Sequence, residues 1–407
     1  MPWETEHAPR DGELDSCVTC GLCLPKCPTF RLTGSEAASP RGRLAAMSAV
    51  AAGIADVDER FDEIMSFCLQ CRACEPVCPS VVPFGRAMEG ARTEIAAQLP
   101  STSRKLRATL LGPRVLGSRV AVRVATFMAA VAQRLRFDRL PIRVFARISG
   151  LRRVPLSPAS RVGTRRPAVG ERVGSAALLA GCVQDPWFGA VNEAAVELLT
   201  MAGYEVAVPQ SQTCCGALAA HDGASSEAEK LAATNTSAFA GFDLVVATAA
   251  GCSAHLAGYG EWSEGGHSVA ERARDITVVV AEAIASGRLP QLPARSQHVA
   301  IQDPCHLRNA QRVIQEPRSI VRAAGYVPVE IDEDGMCCGA AGIYVLTNPT
   351  TADELGVKKA DQVRASGATL VASANPGCEM QLRTNLGNAF VVKHPIEIYA
   401  EALRAST

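Results

Sequence analysis

Two stretches of the chain spell the same pattern. CVTCGLCLPKCP (Cys17 to Pro28) and CLQCRACEPVCP (Cys68 to Pro79) both read C-x2-C-x2-C-x3-C-P. Three thiolates at two-residue steps wrap three corners of an iron–sulfur cubane, and the fourth corner comes from elsewhere. Pro28 and Pro79 follow each fourth cysteine and turn the chain away from its own loop. The fourth cysteine of each run is therefore expected to serve the other cluster. This gives one ligand set of Cys17, Cys20, Cys23 and Cys78 and a second of Cys68, Cys71, Cys74 and Cys27. Structural zinc is the competing reading. It prefers two CxxC pairs set well apart, which a third cysteine at the same step followed by x3-C-P does not match.

The run is that of two-cluster bacterial-type ferredoxins. Between its copies, Pro40–Gly53 and Val57–Phe67 have helical composition, with Ser39 placed as a cap and Pro40 at the first helical position. A helical ferredoxin-type module over residues 1–100 is expected, in place of tight β-hairpins. The first fifteen residues, MPWETEHAPRDGELD, are polar and lack the apolar stretch of a secretory signal. That predicts a cytoplasmic location in which the 16 cysteines stay reduced and available to metal. The 407 residues, 48% of them hydrophobic, suit two to four domains. Equal numbers of basic and acidic side chains, 41 each, give no global reason to expect a nucleic-acid partner. No segment offers the roughly 20 apolar residues of a membrane-spanning helix.

The other eight cysteines form a second repeat. Cys182, Cys214-Cys215-Gly216 and Cys252 are matched by Cys305, Cys337-Cys338-Gly339 and Cys378, with 32 residues from first cysteine to pair in both copies. Such self-similarity signals duplicated domains. Apolar runs at Ala176–Ala180, Tyr204–Val208 and Asp243–Thr248 read as buried strands, with helical segments such as Ala190–Met201 between them. His298–Gln302, Tyr326–Ile331 and Thr369–Ser373 repeat the layout. Alternating strands and helices predict βαβ units with mostly parallel sheets, and ligands then sit beyond the carboxyl ends of the strands. The four cysteines of each copy are expected at one edge of each sheet, and the glycine after each pair at a position needing unusual backbone angles. The alternative is that these cysteines pack as small hydrophobes. The fold class is thus an α-helical ferredoxin module followed by a duplicated α/β domain pair, over 173–290 and 291–407.

Residues 101–172 form a basic helical linker with 17 basic and two acidic side chains. Arg119, Arg123, Arg134 and Arg136 flank the apolar stretch VATFMAAVAQ, and Arg143 and Arg147 keep a helical spacing. Such helices lie on anionic membranes, dock on acidic partners or on the chain's own acidic domains, or stay solvated. Ser157–Gly170 reads as a flexible linker.

The segments CVTCGLCLPKCPTF, SPRGRL, CLQCRACEPVCPSVVPFG, TAAGCSAHL, DPCHLRNAQ, CCGAAGIY and NPGCEMQL resemble the glycolate oxidase (glycolate dehydrogenase) iron–sulfur subunit. Wider relatives are the iron–sulfur subunits of lactate-utilisation and anaerobic glycerol-3-phosphate dehydrogenase complexes. The resemblance implies an electron-transfer subunit with two [4Fe–4S] clusters. Its implied partner is an FAD-containing 2-hydroxy-acid dehydrogenase, and its acceptor is of quinone type, with contact at a membrane surface. The duplicated half resembles the cysteine-rich CCG domains of heterodisulfide reductase, whose last element is CxxC. Here that element is Cys252-Ser-Ala-His255 and Cys378-Glu-Met-Gln381, so the fifth cysteine is absent twice; four thiolates remain per copy, enough for an ordinary iron–sulfur cluster or a metal. His255 and His306 are further candidate ligands, with hydrogen bonding to a ligand as the ordinary alternative. His221 and His394 are weaker candidates. No G-x-G-x-x-G, P-loop or hydrolase triad stands out, so hydroxy-acid chemistry is expected in another chain.

Overall fold

The computed structural model describes residues 3–135, 152–158 and 160–406. The first hundred residues are helical: α1 (Asp11–Asp15), α2 (Pro28–Thr33), α3 (Pro40–Ala51), α4 (Glu59–Ser66) and α5 (Phe84–Gln98). The Ser39 hydroxyl accepts from the Gly42 amide at 2.9 Å and opens α3, and the Asp58 carboxylate does the same for α4 from Phe61 at 2.8 Å. Leu44, Met47, Phe61, Met65, Met88 and Ile95 form the core of this module. The two cysteine runs lie on the loops before α2 and α5. Two further helices, α6 (Thr102–Leu111) and α7 (Arg119–Arg134), follow.

Each copy of the duplicated half is a parallel sheet. The first has strands β1 (Arg165–Arg166), β2 (Gly174–Leu179), β3 (Tyr204–Ala207), β4 (Leu244–Ala247) and β5 (Ala273–Asp275) in the order β1-β3-β2-β4-β5. The second has β6 (His298–Gln302), β7 (Val327–Glu330), β8 (Leu370–Ser373) and β9 (Val391–Lys393) in the order β7-β6-β8-β9. All pairings are parallel except β1 on β3, so the common order confirms the duplication. Central strands such as β2 are apolar along their length because helices cover both faces.

The halves share one core. Helices α8 (Gly189–Met201) and α9 (Ile276–Ala285) of the first copy pack on α10 (Gln315–Ala323) and α11 (Pro395–Arg404) of the second. Leu198, Leu199, Val279 and Val280 meet Ile320, Val321, Ile398 and Tyr399 there. The copies therefore bury apolar helix faces against each other that neither covers alone.

Two expectations need correction, and two strands were not expected. The stretch 157–170, read as a linker, contributes the antiparallel edge strand β1. Short edge strands β5 and β9 went unread because three residues carry no periodicity. His394 is no ligand candidate: its imidazole accepts from the Ile396 amide at 3.2 Å and caps α11, as Asp275 caps α9. In the basic middle, Arg107 pairs with Asp222 at 2.9 Å and Arg172 with Glu205 at 3.2 Å, while Arg104 pairs with Asp62 and Arg161 with Glu193. Several of its charges thus dock on the chain's own carboxylates. Arg136, Arg143 and Arg147 lie outside the described residues.

Candidate iron–sulfur centres

The two N-terminal runs adopt the same backbone. The third residue of each, Thr19 (φ 54°) and Gln70 (φ 52°), is left-handed, and so is the fifth, Gly21 (φ 79°) and Arg72 (φ 57°). A left-handed non-glycine residue costs about 1–2 kcal/mol, and three of these four are non-glycine. These turns curl each loop around its own sulfurs, and the Gln70 amide donates to the Cys68 sulfur at 3.3 Å.

The eight cysteines divide by environment. Cys17, Cys23 and Cys78 are half-buried and Cys20 is exposed, and all four line one small cavity that Cys74 also reaches. Cys27, Cys68, Cys71 and Cys74 are buried. Burial pushes the Cys71 and Cys74 thiols well up, and the neighbouring cysteines add to the shift. Bare thiolates are therefore disfavoured here, and a cationic iron core offsets that cost.

The surroundings complete the fit. Arg43 is fully buried, and its guanidinium donates to neutral oxygens of Ala38, Ile64 and Thr29, with the Cys27 sulfur 4.0 Å away. Arg92 donates to the carbonyls of Met65, Cys68 and His221, and its Nε has no partner. Neither guanidinium has a carboxylate partner among the described residues. Two guanidinium groups without a carboxylate partner, Arg43 fully buried and Arg92 half-buried, suit an anionic thiolate-ligated cluster nearby.

In the duplicated half the eight remaining cysteines all sit beyond the carboxyl ends of parallel strands. Cys182 follows β2 and Cys305 follows β6. Cys252 and Cys378 lie in the first turns of the helices Ala250–Leu256 and Pro376–Leu386. The sulfurs pair alike in both copies. Cys182 and Cys214 are 3.2 Å apart, as are Cys215 and Cys252; Cys305 adjoins Cys337, and Cys338 adjoins Cys378. Gly216 (φ 95°) and Gly339 (φ 86°) are both left-handed. A Cβ on Gly339 would lie 2.5 Å from the Ala352 carbonyl oxygen. Gly339→Ala is accordingly expected to lower stability by about 1–3 kcal/mol, read by chemical denaturation, with the loss centred on the second copy.

The sequence suggested one site per copy, whereas the structure turns both toward a single space. A cavity of about 610 Å³ is lined by all eight of these cysteines and by Cys68. The sheet edges face each other because equivalent helix starts meet: the Ala250 amide donates to the Ala374 carbonyl at 3.1 Å and the Gly251 amide to Asn375 Oδ1 at 3.4 Å. The ferredoxin module closes the cavity. Asn309 donates to the Cys71 carbonyl at 2.9 Å and Gln70 to the His221 carbonyl at 3.0 Å. Cys71 packs in one apolar cluster with Cys305 and Cys337, so the buried cysteine run lies against the second copy.

The histidines separate. His306 lines the cavity with Nδ1 3.5 Å from the Cys305 sulfur, the distance of a hydrogen bond to sulfur. His255 faces a neighbouring cavity of about 160 Å³ behind the first cysteine pair, and its Nε2 has no partner. Burial lowers its pKa to about 4. His221 lines both cavities and accepts or donates at 2.8 Å with Glu89. Gln381, at the other missing-cysteine position, donates to the Ala352 carbonyl at 2.8 Å. Arg43, Arg92 and Asn309 were not singled out from sequence, since each acts through contacts between residues far apart in the chain.

Comparison with known proteins agrees with this geometry. Residues 13–82 match the family described as a 4Fe-4S dicluster domain, and residues 176–257 and 299–383 each match the cysteine-rich domain CCG. A probable glycolate oxidase iron-sulfur subunit of Bacillus subtilis is 34% identical over 407 residues, covering 92% of this chain and 90% of the relative. The glycolate oxidase iron-sulfur subunit of Escherichia coli is 30% identical over 406 residues, covering 97% and 95%. A fumarate reductase (CoM/CoB) subunit of Methanothermobacter marburgensis is 28% identical over 384 residues, covering 92% and 68%.

Proposed function

This chain belongs to the family of glycolate oxidase iron–sulfur subunits, and from that premise we propose that it relays electrons from an FAD-containing 2-hydroxy-acid dehydrogenase toward a quinone-type acceptor. Glycolate is the favoured substrate of the partner, with lactate and glycerol-3-phosphate as alternatives. Cys17, Cys20, Cys23 and Cys78 hold one [4Fe–4S] cluster, and Cys68, Cys71, Cys74 and Cys27 hold the other. Bound clusters supply one-electron storage. The chain's own residues supply anionic ligands, compensating guanidinium charge from Arg43 and Arg92, and shielding from water around the buried set. The observation that carries the reading is the division of the eight cysteines into an exposed-side set and a buried set, the latter lying against the second CCG copy.

Substrate oxidation is assigned to the partner because, among the described residues, no constellation suited to hydroxy-acid chemistry accompanies the cysteines. Contact with a membrane surface is supported by α7. Val120, Val124, Phe127 and Met128 lie exposed on it at i, i+4, i+7 and i+8, beside the exposed Arg123. No helix among the described residues is long and apolar enough to cross a membrane.

The test is anaerobic purification of the tagged chain with its partners, followed by addition of glycolate. Bleaching of the cluster absorbance, with flavin present in the complex, is expected. A complex free of flavin whose clusters ignore glycolate, lactate and glycerol-3-phosphate would remove the reading. The 610 Å³ cavity favours a second reading, reduction of a disulfide or quinone at the CCG cysteines themselves. Changing Cys214 and Cys337 together to Ser is then expected to abolish acceptor turnover while leaving the ferredoxin-type cluster spectra intact; full turnover in that variant would eliminate it.

A further inference from the structure

The two cysteine sets of the ferredoxin-type module differ in what covers them. The buried set is closed off by the CCG half, through the contacts of Asn309, Gln70 and the Cys71 cluster. The other set reaches solvent. Cys20 is the single exposed cysteine of the chain. Around it, Val18 is 64% exposed, Leu22 56% and Val81 76%. Val18, Leu22 and Ser80 line the same small cavity as Cys17, Cys20, Cys23 and Cys78, which joins both loops into one face.

That face carries one charged side chain, Arg41, whose guanidinium is paired with Glu36 at 2.8 Å, so it has no net charge. The stretches Cys17–Pro25 (CVTCGLCLP) and Val77–Gly85 (VCPSVVPFG) contain no charged residue, while Asp15, Lys26 and the Arg41–Glu36 pair border them. An apolar centre with charge confined to the rim is the anatomy of a protein–protein interface. Anionic lipid and nucleic acid call for cationic surfaces, and this face has no cationic excess. Electron tunnelling falls steeply with distance, so a redox partner gains most by docking where a cluster ligand is itself at the surface.

We propose that the apolar face formed by Val18, Leu22 and Val81 around Cys20 is the docking site of the electron-donating flavoprotein subunit. This rests on the relay reading above and adds to it where the partner binds. Electrons then come in at the exposed cysteine set, and the buried set faces the cavity.

The experiment uses the anaerobically isolated complex of the full-length tagged chain with the flavin-containing subunits that accompany it. A Val18→Glu, Leu22→Glu, Val81→Glu variant is compared with Ile54→Glu. Ile54 is 81% exposed just past the far end of α3, roughly 18 Å along the helix from Pro40, which lines the cavity. The triple variant is expected to retain iron and dithionite-reducible clusters, to lose at least tenfold in bound flavin per chain, and to be reduced by glycolate at least tenfold more slowly. Ile54→Glu is expected to change neither quantity by more than twofold. Flavin content and reduction rate within twofold of the parent in the triple variant would overturn the proposal. So would a triple variant that only converts a dimer of this chain to monomer with flavin unchanged, since the face would then join two copies. A parent chain that carries no flavin and is not reduced by hydroxy acid would instead sink the relay reading, and this site with it.

Discussion

Cys71→Ser is expected to remove about half of the iron bound by the ferredoxin-type module, about four atoms of eight, because two cubanes carry four each. The same substitution at Cys17 is expected to remove the other half. The two variants should differ in stability. Cys71 is buried in one apolar cluster with Leu69, Cys305 and Cys337, so losing its ligand bond exposes the joint between the module and the second CCG copy. Cys17 borders the half-open cavity, and its loss is absorbed locally. Iron and acid-labile sulfide per chain, together with thermal unfolding, check both statements. Unchanged iron in either variant would contradict the ligand sets. Cys182→Ser is the control, since that residue lies outside both sets.

Arg152→Ala is expected to be the most destabilising single change away from the cysteines, by about 3–5 kcal/mol. The guanidinium bridges Glu379 at 2.6 and 2.8 Å and Glu397 at 2.6 Å twice over. Those carboxylates are only 3% and 4% exposed. One cation shared by two acids leaves them unequal. Burial raises the pKa of Glu379 despite Arg152, whereas Glu397 stays low because the guanidinium and the His394 amide outweigh its burial. Without Arg152, Glu397 is a buried carboxylate with no counter-ion, and its folded pKa rises above the unfolded value. A raised carboxyl pKa contributes stability below the unfolded pKa that is lost as pH rises. The variant's deficit is therefore expected to be smaller near pH 5 than near pH 8. Urea denaturation at the two pH values measures this, and a pH-independent deficit would contradict the charge argument. Glu379 directly follows Cys378, so the same change is expected to loosen the second CCG site.

Much of this architecture was legible in the residues. The cysteine spacings identified the ferredoxin-type module and the duplication, because ligand geometry fixes sequence separation more tightly than packing does. Central strands were legible as apolar runs, since strands covered on both faces need them. Ser39-Pro40 announced the start of α3. Other features lie between distant residues and leave no local trace. The strand at Arg165–Arg166 sits in a stretch of Pro, Gly and Arg and is held only by β3. That both copies face one cavity depends on helices α8, α9, α10 and α11 packing back to back. Histidines near cysteines looked alike in sequence, yet His394 caps a helix, His306 faces sulfur and His255 lies behind the first pair. Only the fold assigns them different surroundings. Arg43, Arg92 and Arg152 were single letters in a chain rich in arginine until their contacts distinguished them.

The most direct measurement is iron, acid-labile sulfide and zinc analysis of the anaerobically purified chain, with electron paramagnetic resonance after dithionite. At least about eight iron and eight sulfide per chain, with the signals of two reduced cubanes, are expected. Zinc in place of iron, or a colourless protein with no paramagnetic signal, would contradict this.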